Sequence, residues 1–576
     1  MWASASFVGV LIIIGLPLWW KTTEVYRVSL PYDKISSFDT LSHSITTELT
    51  VLANDDATAA EIISKILNAF EDSDVTKLKI TKSLISKQLL STLDAVADEH
   101  EAVEEVGAVY DLTKHNTFYV VQRKPLFQDT WLAGDRVMFF RDAKDWNICG
   151  TSPILLGAVG LLYSYHTTHC SPRSLPFASA STNTTDPPSE EDSWNPPPVK
   201  KPKATSNTVA EALKRVVYQT SVVEGARSET ADAARQTRFP PGAGYHIVLS
   251  VVHPRPDALK VDLNAGDAVE DYIGSFVDEL SVLHNFTLKS QWLHLLDFDF
   301  QAKEIKDTSD WGRHYAVRQD RLHLLLTKLE ERTATHVSEL PTINLALYAV
   351  PCERAPLVIY DSSDKKVESH VQAFMSPKWG GVVLGGPNEA DCRDASPVWR
   401  PNVRVVMGTF ISQLRKLLGI TDAVHVHGAH LEPLRSVTPR QWEIDNLLRI
   451  RTLEQLTSAE RTLQSLAQLL GEISNIVIND EVGASINSAV ESIQRASELM
   501  SRGDLLQAYN MSQSAFLAAE TAFMEPSLLA LLYFPDDQKY AIYIPLFLPI
   551  MFPVILSLKN LILWFRGKPV HKEKTE

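Results

Sequence analysis

The sequence predicts an α/β protein, a mixed sheet flanked by helices, with a C-terminal helical region and one transmembrane helix at each end. Three observations support this fold class. Segments with a strand-like hydrophobic pattern alternate with segments of helix-like periodicity between residues 21 and 438, except at residues 148–210. Residues 439–534 show only helical periodicity, and uncharged apolar stretches occupy residues 3–20 and 540–558.

The first apolar stretch, residues 3–20, is predicted to be an uncleaved membrane anchor. A helix of about 20 apolar residues matches the hydrocarbon thickness of a bilayer. The stretch ends in Trp19, Trp20 and Lys21, which are typical of a membrane interface and not of a signal-peptide cleavage site. A cleaved signal peptide is the alternative.

Residues 21–147 are predicted to form the first α/β part. Period-two patterns with β-branched residues predict strands at Ser44–Leu52, Thr76–Leu84 and Phe118–Gln122. Between the first two, apolar residues at helical spacing predict an amphipathic helix over Ala57–Phe70, and Asn54 and Asp55 supply its N-cap.

Residues 148–210 are predicted to be an atypical insertion and a disordered linker, because Ser171–Lys203 is dominated by Ser, Thr, Asn, Pro and acidic residues. Residues 211–438 then form the second α/β part. The predicted strands are Tyr245–Val252, Thr342–Val350 and Leu357–Tyr360, and the predicted helices are Ala268–Leu283 and Val403–Leu418.

Residues 439–534 are predicted to be helical, with a break at Gly503-Asp504, where Gly ends one helix and Asp caps the next. The second span, 540–558, carries Pro545, Pro549 and Pro553 at helical spacing. Proline has no N–H, so each leaves a carbonyl one turn earlier without its donor, and we predict that this face contacts a partner in the membrane. A kinked helix without a partner is the alternative.

The basic tail, residues 559–576, predicts the orientation. Short loops rich in Lys and Arg stay in the cytosol, so both termini are expected there and the large domain in a lumen. Three sequons are glycosylation candidates on that side, at Asn285, Asn183 and Asn510. Cys352 and Cys392 are a possible disulfide, and buried free thiols are the alternative; the pairing of Cys149 and Cys170 stays open.

Composition excludes some functions. The formal net charge is −15 and no basic stripe is present, so no nucleic-acid partner is predicted. His425, His427 and His430 form the most metal-like cluster, but no Glu base accompanies them in a His-Glu-x-x-His helix, and a surface turn is favoured. Neither a nucleophile motif nor a dinucleotide motif is present. We therefore predict no catalytic residue, no metal and no cofactor.

Long, unusual strings give the chain a resemblance to the PIG-S family, subunits of the GPI transamidase complex of the endoplasmic reticulum. The strings are Gly15–Glu24, Leu30–Tyr32, Ser376–Gly381, Leu466–Gly471, Ile473–Ile478, Pro526–Leu529, Tyr533–Lys539 and Ala541–Pro549. The resemblance covers the first apolar stretch and most of residues 245–558. Residues 148–203 depart from the family pattern.

The resemblance implies a non-catalytic, membrane-anchored lumenal subunit that supports the attachment of GPI anchors to precursor C-termini. The implied partners are a catalytic cysteine-protease-like subunit and accessory membrane subunits. The GPI lipid and the precursor protein are further candidate partners. The alternatives are a membrane-tethered lumenal enzyme using a metal at the three histidines, and a tethered receptor.

Overall fold

The computed structural model describes most of the chain between residues 26 and 567. The described stretches are residues 26–41, 43–124, 129–141, 205–227, 244–297, 313–333, 340–387, 396–420, 424–434, 436–472, 476–526 and 536–567, with a few shorter pieces. Asn183, Cys149, Cys170 and the predicted linker Ser171–Lys203 lie outside the described residues.

The described elements follow the chain in this order. The strands are β1 (Ile45–Ala53), β2 (Thr76–Leu84), β3 (Thr117–Gln122), β4 (Thr130–Leu132), β5 (Val137–Phe140), β6 (Gly244–His253), β7 (Lys260–Val261), β8 (Asn285–His294), β9 (Lys303–Lys306), β10 (Arg313–Arg318), β11 (Thr342–Ala349), β12 (Leu357–Tyr360), β13 (Gln372–Ser376), β14 (Gly380–Gly385), β15 (Val398–Trp399) and β16 (Ala429–Leu431).

The α-helices are α1 (Tyr32–Ser36), α2 (Asp56–Phe70), α3 (Lys87–Ala95), α4 (Glu99–Gly107), α5 (Thr205–Ala212), α6 (Thr220–Gly225), α7 (Ala265–Ala268), α8 (Ser275–Glu279), α9 (Leu322–Thr333), α10 (Val403–Leu418), α11 (Gln441–Glu472), α12 (Asp480–Arg502), α13 (Leu505–Phe523) and α14 (Asp536–Phe565). Short π-helical and 3₁₀ segments accompany them, among them the 3₁₀ turns Cys352–Arg354 and Asp391–Arg393.

The chain divides into two compact units. Unit 2 comprises residues 44–451 and 501–505, and unit 1 comprises residues 1–43, 452–500 and 506–576. The predicted mixed α/β part is found in unit 2, where helices flank the sheets. Unit 1 holds most of the C-terminal helices.

A six-stranded sheet in unit 2 has the order β16-β4-β5-β3-β1-β2. Strands β2, β1, β3 and β5 run parallel, and β4 pairs antiparallel with β5. Asp55 caps α2 by accepting a hydrogen bond from the Thr58 N–H, as the sequence predicted. Apolar residues of α2 then pack on the sheet beside Leu49 and Val120.

A five-stranded sheet in unit 2 has the order β13-β14-β11-β6-β8. Four strands are parallel and β13 is an antiparallel edge. Gly380 begins β14 with φ of +141°, and a Cβ there would lie 1.8 Å from the Asn344 carbonyl oxygen of β11. Only glycine therefore allows the two backbones to approach this closely.

Unit 1 is built on long helices. Leu463, Leu466 and Leu470 of α11 are buried, as are Ile486 and other apolar residues of α12. The extended segment near Arg27 bridges to Ile478, and the Val28 N–H donates to the Ile478 carbonyl at 3.2 Å. In the same unit, His43 Nε2 lies 2.6 Å from Glu460 Oε1.

The prediction of one transmembrane helix at each end is wrong. Across the described residues, no helix has the length and apolarity that a membrane crossing requires. The element described within residues 3–20 is the five-residue π-helix Leu11–Gly15, and residues 540–558 lie inside α14, whose interior contains three prolines. An apolar composition alone did not establish a spanning helix, and the topology with both termini in the cytosol rested on that composition.

Candidate functional site

The carboxyl ends of the parallel strands are the first place to seek a ligand site. In open α/β sheets, ligands bind outside these ends, where neighbouring strands lead to connections on opposite sides of the sheet. In the five-stranded sheet this switch point lies between β6 and β11. The next parallel strand of this sheet after β6 is β8, on one side of β6, and the next after β11 is β14, on the opposite side of β11.

Charged groups of the chain itself bridge this switch point. Arg255 follows β6, and its Nη1 lies 3.2 Å from Oε1 of Glu353, which follows β11. Asp297, beyond β8, accepts hydrogen bonds from the Tyr348 hydroxyl and from Arg354 Nη1, each at 3.2 Å. Arg255, Asp297 and Arg354 thus each contact another polar side chain of this edge.

A disulfide fixes the same edge. Cys352 and Cys392, the pair named from the sequence, are bonded in the structure, with their Cα atoms 5.6 Å apart. Cys352 lies just after β11, and Cys392 lies in the 3₁₀ turn that follows β14. The bond thus ties together the segments that leave two adjacent strands.

The six-stranded sheet has its switch point between β1 and β3, and this is bridged as well. The Asn54 N–H, just after β1, donates to Gln122 Oε1 at the end of β3, at 2.9 Å. The next residue, Arg123, is fully buried and donates from Nη2 to the Val96 carbonyl at 2.7 Å and from Nε to the Leu93 carbonyl at 3.3 Å. Burial lowers the pKa of Arg123.

A buried polar cluster lies around Asp445, in the first turns of α11. Asp445 accepts two hydrogen bonds from Arg136, from Nε at 2.7 Å and from Nη2 at 2.9 Å. His115 Nδ1 lies 2.8 Å from Asp445 Oδ1, and the Asn116 N–H donates to Oδ2 at 3.2 Å. Such a bidentate Arg–carboxylate pair is among the strongest polar contacts in proteins.

Arg449, one turn further along α11, extends this Asp445 cluster. It donates to Asn446 Oδ1 at 2.8 Å and to Asn116 Oδ1 at 3.0 Å, and its guanidinium carbon lies 4.9 Å from the centre of the Tyr218 ring. Asn446 Nδ2 donates to the Val217 carbonyl at 2.6 Å. The first turns of α11 are thereby joined to the residues that immediately precede β3 and β5 and to the segment after α5.

The electrostatics explain why this carboxylate stays charged. Burial acts to raise the pKa of Asp445, but hydrogen bonds from Arg136 and His115 and the charges of Arg136 and Arg449 outweigh it and lower the pKa to about 2. The pKa of Arg449 is lowered by burial, and the Asp445 charge opposes that shift. The cluster is a structural ion-pair network, since its donors and acceptors are turned toward one another.

Leu447 and Arg451 of the same helix line a small cavity beside His284. The cavity has a volume of about 10 Å³, close to that of one water molecule, and Leu283, Phe286 and Leu418 also line it. Burial, reinforced by the Arg451 charge, lowers the pKa of His284 to about 4. His284 is therefore neutral at physiological pH.

The three histidines singled out from the sequence lie in and just before β16. All three are exposed: His425 and His427 lie in the loop before β16, and His430 is the middle residue of β16. Within the described stretches, no group of three or more His, Cys, Asp or Glu side chains is arranged to hold a metal ion. The structure thus gives the alternative of a metal enzyme no support.

Two sequons lie within the described residues. Asn285 is the exposed first residue of β8, and the Thr287 hydroxyl lies 2.7 Å from His246 Nδ1. Asn510 is exposed in the middle of α13, but Ser512 is fully buried and its hydroxyl donates to Gln455 Oε1 at 2.7 Å. The two candidates therefore differ in local structure.

The three prolines lie in the interior of α14 and are all exposed. We call Pro545, Pro549 and Pro553 the proline face. Large apolar side chains near it are also exposed, including Phe552 at 61% and Leu556 at 48%. Val554, by contrast, is buried.

Sequence reasoning missed the Asp445 cluster. Its only local signal is a set of polar residues, Asp445, Asn446 and Arg449, between apolar residues of a helix. The same pattern is typical of a solvated helix face. Its partner Arg136 is 309 positions away in the chain, so the contact has no sequence signature.

The fold and these contacts define a class of protein: an α/β protein with a six-stranded and a five-stranded sheet, two smaller sheets and long C-terminal helices. Charged residues buried around Asp445 bind one another. The chain belongs to the PIG-S family, since it matches the family described as phosphatidylinositol-glycan biosynthesis class S protein over residues 6–568. The resemblance seen in the sequence is thereby confirmed.

Individual relatives agree along most of their length. The chain is 30% identical over 583 residues to the GPI-anchor transamidase component PIGS of Rattus norvegicus, covering 97% of this chain and 94% of the rat protein. The Homo sapiens protein of the same name is 29% identical over 596 residues, covering 100% and 97%. The GPI transamidase component PIG-S homolog of Schizosaccharomyces pombe is 25% identical over 347 residues, covering 60% and 57%.

Proposed function

We propose that this chain is a non-catalytic subunit of a GPI transamidase complex and supports the attachment of GPI anchors to the C-termini of precursor proteins. The observation that carries the proposal is the family match over residues 6–568, together with near-full-length relatives that are named as components of that transamidase. Its partners are the other subunits, with the GPI lipid and the precursor as further candidates.

The arrangement of unit 2 supports an accessory role. At both switch points, where ligands bind in open α/β sheets, the chain's own groups connect the strand ends: Arg255 with Glu353, and Asn54 with Gln122. The buried charges around Asp445 likewise hold α11 to the sheet. These residues stabilise a scaffold, and the proposal assigns the reacting groups to another subunit.

Residence in the lumen of the endoplasmic reticulum is part of the proposal. Disulfides persist in oxidising compartments such as this lumen, and the chain carries the Cys352–Cys392 bond. Asn-x-Ser/Thr sequons are modified there as well. The proline face is proposed as a contact with a neighbouring subunit.

Affinity purification tests subunit membership. The full chain, tagged and expressed at its native level, is purified from gently solubilised cells, and the co-purifying proteins are identified by mass spectrometry. We expect transamidase components in near-stoichiometric amounts. An equally tagged, unrelated protein of the same compartment is the control, and recovery of no transamidase component above this control contradicts the proposal.

The activity of the same purified complex distinguishes the accessory role from the alternative that this chain is itself an enzyme. A chain with His425→Ala, His427→Ala and His430→Ala should support unchanged transamidase activity, because these histidines are exposed and belong to no metal-ligand group among the described residues. Loss of activity with the complex intact would favour a catalytic role for this chain.

Glycosylation at Asn285 tests the proposed compartment. We expect Asn285→Gln to remove one endoglycosidase-sensitive band shift, because Asn285 is exposed at the start of a strand. Thr287→Ala should have the same effect and Thr287→Ser should not, since Ser preserves the sequon. Asn510→Gln is the matched comparison and should leave the band unchanged, because Ser512 is buried within a helix. An unglycosylated wild-type chain contradicts this placement.

A further inference from the structure

The proline face contains backbone carbonyl groups for which α14 itself has no N–H donor. In an α-helix each N–H donates to the carbonyl four residues earlier, and proline has no N–H. Pro545, Pro549 and Pro553 lie inside α14, so the carbonyls of Ala541, Pro545 and Pro549 each lack their usual donor. The spacing of four residues places these carbonyls along one side of the helix.

This side of α14 faces outward. Ala541 and the three prolines are exposed, and Phe552 and Leu556 lie beside them with 61% and 48% of their surface accessible. On the other side of the helix, Val554 is only 7% exposed and Met551 is 42% exposed. The unsatisfied carbonyls and the exposed apolar side chains therefore belong to the same surface.

An apolar surface of this extent marks an interaction site. Leu548 and Trp564, at the two borders of this side of α14, are also more than half exposed. Soluble monomers seldom leave such contiguous apolar area in water. Once this surface is covered, water can no longer donate to the three carbonyls, and a buried carbonyl without a donor is costly.

We propose that the proline face docks a helix of another transamidase subunit, and that this helix carries Ser, Thr, Asn or Gln side chains that donate hydrogen bonds to the carbonyls of Ala541, Pro545 and Pro549. The inference rests on the proposed role as a subunit and adds the chemistry of the contact. A purely apolar occupant would cover Phe552 and Leu556 but leave the carbonyls unsatisfied. Hydroxyl and amide donors satisfy both requirements.

Site-specific photocrosslinking in the assembled complex tests the contact. A photoreactive phenylalanine analogue is placed at Leu556, beside the proline face, and in a parallel chain at Met551, which is two residues from Pro549 and so on the far side of the helix. We expect at least about five-fold more crosslinked subunit from position 556. The crosslinked peptide should contain Ser, Thr, Asn or Gln at helical spacing.

A second variant tests the hydrogen bonds themselves. Pro545→Ala, Pro549→Ala and Pro553→Ala restore the N–H groups, so the helix satisfies its own carbonyls and the partner's donors lose their acceptors. We expect the crosslink from position 556 to fall at least about five-fold in the triple variant. Helix content by circular dichroism should be equal or higher, which excludes unfolding as the cause.

The two proposals fail in different ways. If the wild-type chain recovers no transamidase component, the subunit role fails. The docking inference is overturned, while the subunit role stands, if the wild-type chain recovers the complex but positions 556 and 551 crosslink equally. The same holds if the crosslinked peptide is wholly apolar or only lipid is crosslinked. It also holds if the alanine variant leaves the crosslink unchanged.

Discussion

Replacing Asp445 by Asn should cost unit 2 about 3–5 kcal/mol of unfolding free energy, the range for removing one partner of a buried ion pair. Asn keeps the size of the side chain but removes the charge that Arg136 and Arg449 face. Arg136 and Asp445 are both almost fully buried, so water cannot compensate for the loss. Urea unfolding of the purified full-length chain, followed by tryptophan fluorescence, measures the change.

An exposed ion pair in the same unit provides the matched control. Glu48 contacts Lys79 at 3.0 Å and Lys114 at 2.7 Å, and both lysines are well exposed. Glu48→Gln should change the unfolding free energy by about 0–1 kcal/mol, as is usual for surface pairs. If the two substitutions cost equal amounts, the Asp445 cluster does not hold the unit together as described.

The pH dependence of stability gives an independent measurement of the same group. The pKa of Asp445 is lowered from 3.8 to about 2 in the folded chain. A carboxyl with a depressed folded pKa contributes stability above its unfolded pKa and loses that contribution as pH falls through the folded value. The wild type should therefore lose about 2 kcal/mol from this group between pH 4 and pH 2, and Asp445→Asn should lack that component.

Local patterns in the sequence predicted much of the secondary structure. β2 spans Thr76–Leu84 and α10 spans Val403–Leu418, both as predicted from periodicity. The helix break at Gly503 is also present, with Gly503 at φ of +88°. These features depend on period, capping and glycine conformation, which are local properties of the chain.

Other elements have no local signature. The short strands β4 and β5 were not predicted, because they are fully buried and a buried apolar run has no alternation to read. The antiparallel edge strand β13 was also missed. The predicted helix Ala268–Leu283 is divided in the structure into α7, a π-helical segment and α8.

The features of the candidate site also fall into those that could be predicted from the sequence and those that could not. The three prolines, the sequons and the cysteine pair could be named from the sequence, because each is a property of residue identity and spacing. The bridges at the two switch points could not, because Arg255 meets Glu353 only when β6 and β11 adopt their register. Hydropathy likewise indicated that the ends of the chain are apolar but did not determine the structure that those segments form.

Removing the Cys352–Cys392 bond should be the other large perturbation. The bond closes a segment of 40 residues that includes β12, β13 and β14. Loop-closure entropy predicts a loss of about 4 kcal/mol when a crosslink of this span is removed from the unfolded chain. Cys352→Ala with Cys392→Ala should therefore lower the midpoint of thermal unfolding of the purified full-length chain by several degrees.

The reduced wild type and the single variants distinguish the effect of losing the disulfide from the effect of replacing the cysteine side chains. Each single substitution breaks the same bond, so each should destabilise about as much as the double variant, and their effects should not add. Wild type treated with a dithiol reductant should approach the double variant treated in the same way, so that any effect of reduction at Cys149 and Cys170 is common to both samples. A wild-type midpoint that is insensitive to reduction, with the thiols of Cys352 and Cys392 shown to be free, would mean that the disulfide contributes little to the stability of the carboxyl edge of the five-stranded sheet.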